Sequence, residues 1–188
     1  MSLYRQSSLA SSRTTPGKRA SHVNVLWSQI TASDRFWIGA QLLLFGASAS
    51  AGIRTLRRVG FPNRNRLAIA VVPFAGAIGI AELARRTLGR NLTMAPTPVR
   101  EGQLVDTGVY GVVRHPMYLS ATLGLLAWAI GTGSSFAAYA TPVAAVFFGA
   151  KARHEEALLE SRYSDYAAYR QRVPGRLLPR TFRTGGRG

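Results

Sequence analysis

The chain contains no cysteine. That excludes a disulfide framework, a zinc–thiolate site and cysteine nucleophile chemistry. Acidic residues are also scarce, with eight Asp+Glu against 24 Lys+Arg. With only three histidines beside those acids, few ligands are on hand for a dedicated metal site, and none is expected. Charged residues make up 17% of the 188 positions, below the roughly 25% of soluble domains. The length suits one domain.

What the chain has in excess is positive charge, +16 in all, and uncharged apolar runs. A basic chain can be a nucleic-acid binder or a membrane protein with basic flanks. The charges avoid long apolar segments and no nucleic-acid motif is present, so no nucleic-acid partner is expected. Phe36–Ile53 is an uncharged run of 18 residues, FWIGAQLLLFGASASAGI, long enough to cross about 30 Å of hydrocarbon. Trp27, Phe36 and Trp37 stand at its start, where an interfacial aromatic belt would lie. Five arginines follow, Arg54, Arg57, Arg58, Arg64 and Arg66, read as phosphate-contacting or solvated charge. Leu67–Ala81 is a second uncharged run, 15 residues long, which can span if tilted.

Residues 82–114 are polar and punctuated by Pro96, Pro98, Gly102 and Gly108, a loop signature. His115–Ala150 then carries no formal charge, with GTGSS at 131–135 in its middle. A Gly/Ser cluster between two apolar stretches reads as a helical hairpin. Residues 151–172 are charged and periodic, which predicts one amphipathic helix ended by Pro174-Gly175. The expected fold is all-α: a polytopic membrane bundle of about four transmembrane helices, with a terminal hairpin and a C-terminal amphipathic helix. Residues 1–35 are expected to be a disordered basic tail or, by composition, a targeting segment. Residues 36–180 form the membrane domain and 181–188 a second basic tail. Lys and Arg bias puts the 82–114 loop and the C-terminus in the cytoplasm and the GTGSS turn outside. Four spans then leave the Arg-rich 54–66 loop outside, against the same rule.

Reactive groups concentrate in two places, GQLVDTGVYGVVRHPMYLS at 102–120 and KARHEEALLESRYSDYAAY at 151–169. A short hairpin returns the chain to its starting surface, so Arg114-His115 and Glu155-Glu156 should be neighbours. Polar groups at a bilayer edge are costly unless paired or used. Bland readings stand beside this one. His115 can simply cap the helix begun by Pro116. Glu155 and Glu156 can be surface acids paired with Lys151 and Arg153 one turn back. His154 reads as solvated, and Tyr163, Tyr166 and Tyr169 as either an interfacial belt or part of a motif.

The order Gly108-Val109-Tyr110, Arg114-His115-Pro116-Met117-Tyr118, Glu155-Glu156, the three tyrosines, Val173-Pro174 and Leu178-Pro179 resembles the isoprenylcysteine carboxyl methyltransferase and phospholipid N-methyltransferase superfamily. The likeness covers about residues 86–180, with Ser120 where many members carry glycine. It implies an integral membrane enzyme, in a bacterial inner membrane or an endomembrane, with its site facing the cytoplasm. It implies S-adenosylmethionine as methyl donor and a lipophilic acceptor: a prenylcysteine-type carboxylate, a phospholipid amine or a related amphiphile entering from the lipid. Cofactor contacts would come from Gly108, Tyr110, His115, Pro116, Tyr118, Arg153, Glu155 and Glu156, with Arg114 and Glu156 in catalytic roles. Membrane sterol and enone reductases share a similar terminal hairpin and use NADPH, which leaves a reductase as one alternative. A non-catalytic lipid-associated protein is the other.

Overall fold

The computed structural model describes residues 31–89 and 104–180, and among these the secondary structure is entirely helical. The expectations for the tail before Thr31, Trp27, the loop between residues 90 and 103 and the tail 181–188 lie outside the described residues.

Helix α1 spans Ala32–Val59. Its start is fixed by a capping box: the Thr31 hydroxyl accepts from the Asp34 amide, and Asp34 accepts from the Thr31 amide at 2.9 Å. The helix therefore begins four residues before the apolar run, because the cap, not the hydropathy, decides where it starts. Helix α2 spans Arg64–Leu88, with Asn63 accepting from the Arg66 amide as N-cap. It runs on through Glu82, Arg85 and Arg86, so residues 82–88, expected in a loop, complete a 25-residue helix. Both helices are long and apolar enough to cross a membrane. Their exteriors agree with that. Leu43 (74% exposed), Val72 (75%) and many other large apolar side chains point away from the protein.

A 3-10 turn at Gly108–Gly111 leads into α3, Pro116–Thr132. Helix α4 spans Ser135–Arg162. The turn between them is tight: Gly133 adopts φ +68°, and Ser134 caps α4 through the Ala137 amide. The hairpin is as read from the Gly/Ser cluster. The amphipathic helix expected over 151–172 is not one helix. Residues 151–162 continue α4, the chain breaks at Tyr163–Asp165, and a short α5 covers Tyr166–Arg172.

Helix α3 lies at the centre, touching α1, α2 and α4. Small residues set the approach of α2 to α3. Ala70, Ala77 and Ala84 recur every seven positions on the buried face of α2. Ala70 faces Gly131 and Ala77 faces Gly124, the two helices running antiparallel. Ser120 donates to the Ala77 carbonyl at 3.0 Å. Its hydroxyl is thus spent on the neighbouring helix. Such close backbone contact is the usual route to helix association where lipid offers no hydrophobic drive. Helix α1 joins through Trp128, whose indole N–H donates to the Ser48 carbonyl at 3.0 Å. A side chain on Gly52 would collide with that indole, its Cβ falling 2.4 Å from Nε1.

Gly52→Ala should therefore lower stability by about 1–3 kcal/mol through overpacking. Gly46→Ala, on the same helix with open space around it, should change it by less than about 0.5 kcal/mol. Thermal unfolding of both variants in one detergent checks the contrast; equal losses would contradict the tight α1–α3 contact.

Candidate functional site

Three antiparallel crossings bring the N-terminus of α1, the N-terminus of α3 and the charged half of α4 to one end of the bundle. Ser33 reaches His154 there (3.1 Å), and Trp37 stacks on the same imidazole at 5.8 Å. His154 is half-buried and rests against α1.

At this end the motif Arg114–Tyr118 meets Glu155 and Glu156. Arg114 Nε donates to Glu156 Oε1 at 2.9 Å. His115 Nε2 stands 3.1 Å from the same oxygen, and its Nδ1 is 3.5 Å from Glu155 Oε2. His115 does occupy the N-cap position of α3, but its ring makes no capping hydrogen bond. The ring is turned instead to the two carboxylates. Pro116 supplies the first helical position, where its missing N–H costs nothing. The Tyr118 hydroxyl donates to Glu155 Oε2 at 2.7 Å, and the Tyr118 and His115 rings stack almost parallel, 5.4 Å apart.

A third segment completes the cluster. Arg176 donates from Nη2 and Nε to Glu156 Oε2, at 2.7 and 3.1 Å. The backbone follows: the Arg114 amide donates to the Gly175 carbonyl and the His115 amide to the Arg176 carbonyl, both at 2.9 Å. The Arg114 guanidinium also donates to the Val173 carbonyl. The C-terminal strap 173–176 is thus laced onto the motif before α3. Arg176 is the residue that the sequence reading missed. Its signal was the RVPGRLLPR ending, where an arginine between Pro-Gly and Leu-Leu sits on backbone unable to continue the helix.

Glu156 is the hub. It is 4% exposed and contacts three cationic side chains. Burial alone would raise its carboxyl, but hydrogen bonds from His115, Arg176 and Arg114 outweigh this and hold it well below the usual carboxylate range. For His115, burial favours the neutral ring, yet the two carboxylates prevail and its pKa rises. Arg114 and Arg176 take Glu156, which surface pairing would have given to Arg153. Arg153 is exposed and forms no ion pair with either glutamate among the described residues. Lys151 is buried; its ammonium donates to Gln41 Oε1 at 2.8 Å and lies 5.3 Å from the Tyr118 ring.

Gly108 opens the 3-10 turn at φ +57°, against Thr87 of α2, where a Cβ would lie 3.0 Å from the threonine hydroxyl. That backbone requires glycine. Tyr110 is buried, and its carbonyl accepts from the Tyr169 hydroxyl at 2.8 Å. Tyr166 and Tyr169 are 1% and 2% exposed and pack with Val173, Leu104, Leu159 and Tyr163. They are a core behind the site and not an interfacial belt. Burial, with a smaller push from Glu155, drives the Tyr110 phenol well above its usual range.

The low Glu156 pKa has a stability consequence. A depressed folded pKa contributes stability above the unfolded value and loses it as pH falls below about 4.3. Glu156→Gln should cost about 2–4 kcal/mol at pH 7, because two arginines are left without their buried anion. The deficit should shrink below pH 4. Arg176→Ala should cost about 1–3 kcal/mol, and Arg153→Ala within about 0.5 kcal/mol. Thermal melts of these variants at pH 7 and pH 3 decide; equal effects of Arg176→Ala and Arg153→Ala at pH 7 would remove the strap from the site.

No curated protein matches the chain. The phospholipid methyltransferase family does, over residues 65–166, from the first turn of α2 through the hairpin to the start of α5. That stretch holds the Gly108 turn, the Arg114–Tyr118 motif and both glutamates. Matched over just over half of its length and built of apolar helices, the chain belongs to the phospholipid methyltransferase family, a family of membrane methyltransferases.

Proposed function

We propose that this protein is an S-adenosylmethionine-dependent methyltransferase of lipophilic acceptors, with its site at the end of the bundle where α3 begins. The observation that carries the reading is the junction of Arg114, His115 and Tyr118 with Glu155, Glu156 and Arg176, across a hairpin that separates the two segments by some 40 residues in the chain.

The donor set suits the cofactor. Glu155 is a quarter exposed on its side chain, unlike the enclosed Glu156, and suits an ammonium or ribose hydroxyls. Arg176, one-third exposed, suits a carboxylate. Tyr118 is enclosed between the His115 and Phe148 rings, so it bounds the site through its edge and its hydroxyl. Bound there, S-adenosylmethionine supplies an electrophilic methyl group on a sulfonium. The protein's part is mainly placement, since methyl transfer needs donor and acceptor aligned with water kept away. Glu156 holds Arg114, His115 and Arg176 in register. Glu155 fixes Tyr118 through its hydroxyl. Gly108, Tyr110 and Pro116 set the backbone on which those groups stand. Arg153, exposed on the outer side of α4, has no such support and is a weaker candidate than it was from the sequence.

The acceptor is an amphiphile that reaches the site from the bilayer. The apolar exteriors of α1 and α2 support this, as does the family. A carboxylate or a polar amine on a lipid are both compatible with the cluster. Four helices crossing, with the site on the cytoplasmic side, complete the proposal. The dense positive charge of the C-terminal third supports that side.

Glu155→Gln and Tyr118→Phe should each weaken S-adenosylmethionine binding by about 1–3 kcal/mol, the range for losing a charge-assisted contact at a partly buried site. Glu160→Ala, at an exposed pair with Arg170, should stay within about 0.5 kcal/mol. Calorimetric titration of the folded variants tests this, and equal affinities would sink the site. For orientation, a cysteine at Asn65 should react with an impermeant thiol reagent from outside intact cells, and one at Ser161 should not. Both positions are exposed, and the wild-type chain offers no competing thiol. Reversed labelling would invert the protein in the membrane.

A further inference from the structure

The end of the bundle opposite the site holds an apolar groove of about 370 Å³ between α1, α2 and α3. Leu56, Leu67, Val71, Phe74 and Trp128 form its walls, and Gly131 opens its floor. The chain around its mouth is of one sign. Arg54, Arg57 and Arg58 close α1, and Arg64 and Arg66 open α2; all five are exposed. Among the described residues, no carboxylate pairs with any of them. The reason lies in the sequence. Between Arg35 and Glu82 the chain has no acidic residue, and from Arg114 to Lys151 it has none either. Those are the two stretches that build this end. The Arg66 guanidinium reaches across to the hairpin turn, Nη1 falling 1.9 Å from where a Cβ on Gly133 would be. Arginine charge and groove therefore meet at one place.

We propose that this groove is a binding site for an anionic phospholipid, with one acyl chain between Trp128 and Phe74 and the phosphate at the Arg57, Arg58 and Arg66 collar. The walls offer nothing polar enough to hold a soluble ligand, and an acyl chain matches their chemistry. Five guanidiniums with no carboxylate partner among the described residues match a phosphate, which arginine binds in bidentate fashion. Clustered basic residues beside a membrane helix attract anionic headgroups within about a Debye length, and that attraction depends on charge in whichever leaflet holds such lipid. The site is separate from the methyl-transfer centre. Helix α3 runs from Pro116 at one to Thr132 at the other, about 24 Å at 1.5 Å per residue. A lipid held here contacts the opposite leaflet and is a structural or regulatory ligand, not the acceptor.

Trp128 provides the readout. Titrating the detergent-purified full-length protein with brominated-chain phosphatidylglycerol should quench its fluorescence saturably. The half-effect should come at about a tenfold lower mole fraction than with brominated phosphatidylcholine. Raising NaCl to about 0.5 M should erase most of that preference in the wild-type protein, because exposed charge is screened. Combined Arg57→Gln, Arg58→Gln and Arg66→Gln should erase it at low salt. Gly131→Ala, whose Cβ fits 3.7 Å from Ala70, should narrow the floor and weaken quenching by both lipids. Trp128→Phe should remove the saturable component, tying it to the groove and not to Trp27 or Trp37. Equal quenching by the two lipids overturns the proposal. So does a preference that survives either high salt or the triple substitution. Binding of S-adenosylmethionine is measured independently, so failure of the lipid site leaves the methyltransferase reading standing, and the reverse.

Discussion

One buried carboxylate organises this protein. Glu156 sits almost out of contact with solvent and is shared by Arg114, His115 and Arg176. A lone buried anion would be driven to take up a proton. Here the cations come from three parts of the chain, so the charge is tolerated only when α3, α4 and the C-terminal strap are all in place. The backbone bonds from Arg114 and His115 to residues 175 and 176 follow from that. Tyr166, Tyr169 and Val173 then close an apolar cluster behind the ion group, which limits water access and strengthens each contact in it.

The hairpin makes this possible by its length. Helix α3 has 17 residues, and α4 needs about the same number to return, which brings the chain to Lys151. Glu155 and Glu156 follow within the next two turns. A longer crossover, or a looser turn than Gly133-Ser134, would shift the glutamates around or along the helix and away from Arg114. Close packing of α2 on α3 holds the return straight. Ala70 on Gly131 and Ala77 on Gly124 leave no room for the pair to slide. The same contacts seat the Gly108 turn against Thr87, so the loop entering the motif is fixed from the α2 side as well.

Charge divides the bundle along its axis. Every described acidic residue lies at the site end, where acids and arginines compensate one another. The far end keeps only arginine. The polarity gives the two ends different chemistry: a mixed-charge cluster suited to a zwitterionic ligand, and a cationic collar suited to an anionic one.

Much of this was legible in the amino acids alone. Uncharged runs of 15 to 36 residues announced apolar helices, because charge in hydrocarbon is costly over any register. GTGSS announced the hairpin, since glycine permits the positive φ that Gly133 adopts. The ordered motifs announced the family. The rest depended on contacts between segments remote in sequence. The start of α1 and the end of α2 were set by capping and by continued packing beyond the apolar run. Sequence spacing offered Lys151 and Arg153 as partners for the glutamates, because a helix places residues three and four apart side by side. The fold gave Glu156 to Arg114 and Arg176 instead, and buried Lys151 beside Gln41. Local periodicity determines which side chains share a helical face; only the tertiary structure decides what that face meets, because a buried charge takes the partners that satisfy it best, wherever in the chain they lie.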